Sequence, residues 1–239
     1  MNLRELFEKR KNPEVNVSPT YEEVISKYAS LPNSDEYYVS FTDIPKVGIK
    51  PIPQWTDTPI GVYAYPIKYV ADKNGKVRFS SRKYASILQE TTPPLGKDPG
   101  SPEMVTKAVK VWEKFLLDKF ADREDLDYIK DYMEYYLTMP IRDSIPKEMY
   151  KRAQMMATIA KMNDPSVVSY TLWNKMLRMA GVKSLVDYGT GYIYDEEPTQ
   201  AVFLDNTSYK LVERVETKRN KNANSWDSRW IEVYGQYLY

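Results

Sequence analysis

The hydrophobic period of this chain changes three times, from helix to strand, to helix and back to strand, and that order decides its fold class. Tyr37-Tyr38-Val39-Ser40-Phe41 and Ile60-Gly61-Val62-Tyr63-Ala64-Tyr65 are short runs rich in β-branched and aromatic residues, bounded by Pro and Gly, as strands are. Lys76-Val77-Arg78-Phe79 follows an Asp72-Lys73-Asn74-Gly75 turn and reads as a hairpin return. Gln89 to Pro102 is rich in Pro and Gly and reads as a loop. The period then becomes helical. Ser101 caps a helix with Pro102 at its first position, and Val105, Ala108, Trp112, Phe115 and Leu116 form its stripe. Asp122 caps a second, carrying Leu126, Ile129, Met133 and Leu137. Pro146 opens a third, with Met149, Ala153, Met156 and Ile159. Asp164 and Pro165 open a fourth, with Val168, Leu172 and Met176, and Gly181 stops it at the C′ place.

After Val182 the strand pattern returns in Ser184–Asp187, Gly191–Tyr194, Gln200–Leu204, Tyr209–Val212 and Arg229–Tyr234. Strands on both sides of a helical block exclude a regular βαβ repeat and predict an α+β fold. Runs this short need a face to bury, so the two β halves are expected to meet in one split or two-layer core. The expected organisation is a helical arm over residues 1–35 and one α+β domain over 36–239, with helical segment 101–181 inserted between the β halves. In the arm, Thr20 and Glu23 form a capping box ahead of Val24, Ile25, Tyr28 and Leu31. Leu3, Leu6, Phe7 and Arg10 have helical spacing amid charges, an amphipathic pattern unlike a secretion signal.

Composition narrows the chemistry. The 239 residues contain no His and no Cys. Imidazole and thiolate catalysis, imidazole metal sites and Cys-ligated zinc are excluded. Acid–base work at neutral pH falls to Glu, Asp, Lys, Tyr or water. With 34 Lys+Arg against 33 Asp+Glu, the net charge of +1 draws the chain to neither nucleic acid nor an anionic membrane. No stretch reaches the ~18 apolar residues of a membrane span. No membrane, no specific nucleic acid and no metal is therefore expected as a partner.

Four features were candidates for chemistry. Gly189-Thr190-Gly191 is too short for a phosphate loop and reads as a hairpin turn. Asp195, Glu196 and Glu197 are either an acidic cluster that binds a cation or supplies a general base, or a solvated turn closed by Pro198. Lys210, Arg214, Lys218, Arg219 and Lys221 precede Trp226 and Trp230, a pattern seen where single strands are gripped. Glu213 and Glu216 interrupt that run, and a solvated loop accounts for it better. Among 21 tyrosines, Tyr63, Tyr65, Tyr69 and Tyr84 cluster around the second strand, where they serve either as stacking surfaces or as strand formers.

Val39-Ser40-Phe41-Thr42, Gly61-Val62-Tyr63-Ala64-Tyr65, Ser80-Ser81-Arg82-Lys83-Tyr84 and Gln200-Ala201-Val202-Phe203-Leu204-Asp205 resemble, in that order, motif segments of the ADP-ribosyltransferase family. The likeness is to the small ADP-ribosyltransferase-like domains of phages. It spans roughly residues 37–88 and 182–215 and leaves the helical middle as an insertion. The resemblance implies an ADP-ribosyltransferase-like split β core and, in an active member, NAD as cofactor. Ser40 and Thr42 would then stand on the ribose-binding first strand. Tyr63 and Tyr84 would stack on nicotinamide, with Tyr84 at a helix start. Gln200 would hold the catalytic glutamate position, with Glu197 as a substitute from the adjacent turn.

Departures from the family pattern are as informative. Ser40 stands where the family has His or Arg, and Gln200 where it has Glu. Of the His-Tyr-Glu set only Tyr63 is kept, and Val62-Tyr63-Ala64 does not supply the Ser-Thr-Ser of the arginine-type variant. A carboxamide cannot stabilise developing positive charge as a carboxylate does. The resemblance thus implies a phage protein with a degenerate catalytic set. It would act as a non-catalytic virion component among other phage structural proteins, or as an active transferase on host proteins or RNA, located in the virion or the host cytoplasm.

Overall fold

The structure is a computed structural model that describes residues 19–47, 61–71, 77, 82–95, 97, 100–122, 126–187 and 200–217. The first helix, α1 (Tyr21–Ala29), starts where the capping box places it. Thr20 Oγ1 accepts from the Glu23 N–H at 3.3 Å, and the Thr20 N–H donates to Glu23 Oε2 at 2.7 Å. Its apolar face, Tyr21, Val24, Ile25 and Tyr28, is buried.

Strands β1 (Tyr37–Thr42), β2 (Val62–Pro66), β3 (Tyr84–Glu90), β4 (Ser184–Asp187), β5 (Gln200–Phe203) and β6 (Tyr209–Glu216) form one six-stranded sheet, ordered β4-β5-β2-β1-β3-β6. Every neighbouring pair is antiparallel. The two β halves do meet, because β5 of the second half pairs with β2 of the first and β6 with β3. A register shift at Ile87/Leu88 marks an irregularity between β3 and β6.

Helices α2 (Ile67–Val70), α3 (Pro102–Lys119), α4 (Leu126–Thr138), α5 (Ile145–Asn163) and α6 (Ser169–Met179) complete the described elements. Among the described residues, one face of the sheet carries all the helical packing. Val39, Ala85 and Ile87 pack with α1 and with Ile67 and Val70 of α2. Leu185, Val202 and Leu204 join the core of α3 to α6, which centres on Trp112, Met149, Met156 and Trp173. Trp112 Nε1 donates to the Met176 carbonyl at 2.6 Å, tying α3 to α6. The opposite face is also buried: Tyr38, Val62, Ala64, Leu88, Ala201 and Phe203 form a separate cluster with Val47 and Tyr209 against it.

The local signals misplace several boundaries. Tyr84 opens a strand, not a helix: six residues of β3 pair with β1 and its other edge pairs with β6, and this non-local pairing overrides the Ser-x-x-Tyr pattern. β3 continues through Gln89 and Glu90, which the sequence assigns to a loop. α6 begins at Ser169 rather than at Pro165, because Asp164 Oδ1 accepts from the Ser166 N–H at 3.0 Å in a tight turn first. The stop is as expected, with Gly181 at φ +83° and its N–H on the Arg178 carbonyl. The arm segment 3–10, the 72–75 turn, the Gly189–Gly191 turn and the 229–234 strand lie outside the described residues.

Candidate functional site

Strand register sorts the motif residues by face. Ser40 lies opposite Ser86, and Thr42 opposite Tyr84, on neighbouring strands β1 and β3. Paired residues share a face and successive residues alternate, so these four stand on the face of Tyr38 and Leu88, away from the helices. Arg214 of β6 pairs with Ser86 from the other side. Its Nε donates to Ser86 Oγ at 3.0 Å, and its Nη1 to the Pro45 carbonyl at 2.8 Å. A polar row, Ser40–Ser86–Arg214, therefore crosses three strands. Ser40, Thr42 and Ser86 are buried. Thr42 Oγ1 is satisfied by the Ile44 carbonyl at 2.6 Å, and Arg82 pairs with Asp43 at 2.5 Å beside it. Arg214 and Thr42 spend these donors within the protein, so the row ties β3 to β6 and to the segment at Pro45.

Tyr63 is elsewhere. It lies opposite Val202 in the β2–β5 register, and both pack with the helical core. The β1–β2 register pairs Val39 with Tyr65. Tyr63 is two residues from Tyr65 and shares its face, whereas Ser40 adjoins Val39 and points the other way. The structure thus brings together Ser40, Thr42 and Tyr84 and separates Tyr63 from them. The resemblance sets Tyr63, Tyr84, Ser40 and Gln200 around one ligand, whereas the register puts Tyr63 on the opposite face from Ser40 and Tyr84. Gln200 opens β5 opposite Asp187. Glu197, with Asp195, Glu196, Lys218, Arg219, Lys221, Trp226 and Trp230, lies outside the described residues.

Two groups had no local sequence signal strong enough to find them. Arg214 sits in the basic run read as a solvated loop, yet it is a strand residue; the alternation of Tyr209–Glu216 was the available clue. The second group is Tyr38, Glu90 and Lys97. Tyr38 Oη donates to Glu90 Oε2 at 2.7 Å, and Lys97 Nζ donates to Glu90 Oε1 at 2.5 Å and to the Asp35 carbonyl at 2.8 Å. Burial, and then the Glu90 carboxylate as acceptor, push the Tyr38 phenol well above its ordinary value. Each Glu90 oxygen has a donor, so this group fastens β1 to β3 and to the turn at Lys97.

Among the described residues no group of acidic side chains is arranged to hold a metal ion, and no helix is long and apolar enough to cross a membrane. No family model, no curated protein and no solved structure matches the chain.

Proposed function

We propose that this chain is a non-catalytic structural or interaction component of a phage particle, built on an ADP-ribosyltransferase-like set of strands without that family's reaction. One observation carries the reading: Tyr63 packs into the helical core while Ser40, Thr42 and Tyr84 stand on the other face of the sheet. Transfer from NAD needs the stacking tyrosine and the ribose-holding strand around one ligand, because only a shared geometry stabilises the transition state. Gln200 removes the carboxylate as well, at a cost of about 10²–10³ in rate.

A second reading, an NAD-dependent ADP-ribosyltransferase, draws on Arg214. It brings a guanidinium to the face of Ser40, Thr42 and Tyr84, where the resemblance calls for a cation. Two measurements separate the readings. Quantitative mass spectrometry of purified particles should find the chain at a fixed copy number. Incubation with radiolabelled NAD and host lysate should leave no labelled protein or RNA. Absence from particles together with robust labelling would make the enzyme reading primary.

A further inference from the structure

Helices α3 and α4 are adjacent in sequence and packed together, and each exposes a row of charge. On α3, Lys107, Lys110 and Lys114 are exposed at i, i+3 and i+7. They line a shallow groove with Pro102, Thr106 and Val111. Among the described residues none of the three lysines makes an ion pair. The row spans two helical turns, about 10 Å.

On α4, Tyr128, Tyr132 and Tyr135 repeat at i, i+4 and i+7 and are 56%, 43% and 61% exposed. The first two rings stand 4.8 Å apart. Asp131 and Glu134 are exposed beside them and make no ion pair among the described residues. Asp127, 95% exposed, pairs with Lys130 of the same helix at 3.2 Å. This ridge is also about 10 Å long. Tyrosine loses little entropy when it docks and dominates interface cores, so an exposed ridge of three beside carboxylates suits a cationic face about two turns long that also offers apolar surface.

The α3 groove has those properties. Ammonium groups sit favourably over tyrosine faces, and carboxylates beside the rings take up the remaining charge. Glu103 also lines the groove, a counterpart for Lys130. The whole chain carries a net charge of only +1, so attraction acts between these two faces rather than between whole molecules.

We propose that the tyrosine ridge of α4 docks into the lysine groove of α3 on a second copy of this chain. The two surfaces differ and lie on neighbouring helices, so the contact either closes reciprocally into a two-fold dimer or propagates head-to-tail into a ring or a helical filament. The inference stands apart from the particle assignment, because it concerns contacts of the chain with itself alone.

Sedimentation velocity on the purified full chain tests it. At low salt the sedimentation coefficient should rise with protein concentration, and about 0.5 M salt should reverse the rise. A groove variant, Lys107→Glu/Lys110→Glu/Lys114→Glu, and a ridge variant, Tyr128→Ala/Asp131→Lys/Tyr132→Ala, should each be monomeric alone. Mixed, they should form a one-to-one dimer, since each keeps the face the other has lost. The milder Lys110→Gln and Tyr132→Ser, with unchanged circular dichroism, should each weaken association about tenfold. A monomeric wild-type chain at all concentrations, association insensitive to one of the two faces, or a mixture that forms no dimer overturns the proposal. Binding of the ridge only to a foreign basic protein, with no self-association, does so as well.

Discussion

Glu148 and Arg152 stand one turn apart in α5, and both side chains are almost wholly buried. Arg152 Nε donates to Glu148 Oε2 at 2.9 Å, and Nη2 to the Met139 carbonyl at 2.7 Å. Glu148 Oε1 accepts the N–H groups of Arg142 and Asp143 at 3.1 and 3.2 Å. The pair therefore holds the α4–α5 connection onto the start of α5. Burial by itself raises the Glu148 carboxyl; the Arg142 N–H and the Arg152 guanidinium outweigh it and hold the group below its ordinary value. A carboxyl lowered on folding contributes stability above its unfolded value, about 4.3, and that contribution is lost as pH falls through the folded value. Glu148→Gln leaves Arg152 buried without its countercharge and should cost about 3–5 kcal/mol near neutral pH. Urea midpoints followed by tryptophan fluorescence should show the gap to wild type narrowing on acidification below the ordinary carboxylate range. A gap that does not change with pH would show that the charge on Glu148 is irrelevant.

Elements end where their terminal residues dictate, and two glycines show two different reasons. A Cβ on Gly61 would lie 2.6 Å from both the Phe203 carbonyl oxygen and Val202 Cγ1, so β2 could not stay close to β5. Gly61→Ala should cost about 1–3 kcal/mol and raise hydrogen exchange first in β2 and β5. Gly181 has open space around it but φ +83°. Gly181→Ala should cost about 1–2 kcal/mol through backbone strain alone, with Gly181→Asn recovering part of it in thermal midpoints. The stop at Gly181, the Thr20–Glu23 box and Pro102 at the head of α3 were legible in the sequence because each is a local device, complete within a few residues. Tyr84 was not, because its partners Thr42 and Glu216 are far along the chain and local pattern carries no trace of them.

At the scale of the whole molecule, the order strand, helix, strand was enough to infer an α+β fold whose halves meet. It was not enough to give faces. Alternation says that Tyr63 and Ala64 point opposite ways; only the pairing of Val39 with Tyr65 says which of them shares a face with Ser40. That pairing puts Ala64 and not Tyr63 on the Ser40 side. Gln200, which the resemblance to the ADP-ribosyltransferases sets at the catalytic glutamate, allows a test. If a missing carboxylate were the sole defect, Gln200→Glu would raise transfer from radiolabelled NAD by about 10²–10³. With Tyr63 packed against Val202 beneath the helices, the tyrosine that the resemblance would set against nicotinamide lies on the opposite face of the sheet from the Ser40–Ser86–Arg214 row. A restored carboxylate then has no assembled transition state to stabilise, since effective molarity is lost when the reacting groups do not share a geometry. Gln200→Glu should therefore label no more protein or RNA than wild type, and Gln200→Glu/Arg214→Ala should be indistinguishable from both. Any gain approaching 10² in the single variant, lost again with Arg214→Ala, would mean that the two faces cooperate and would favour the transferase reading.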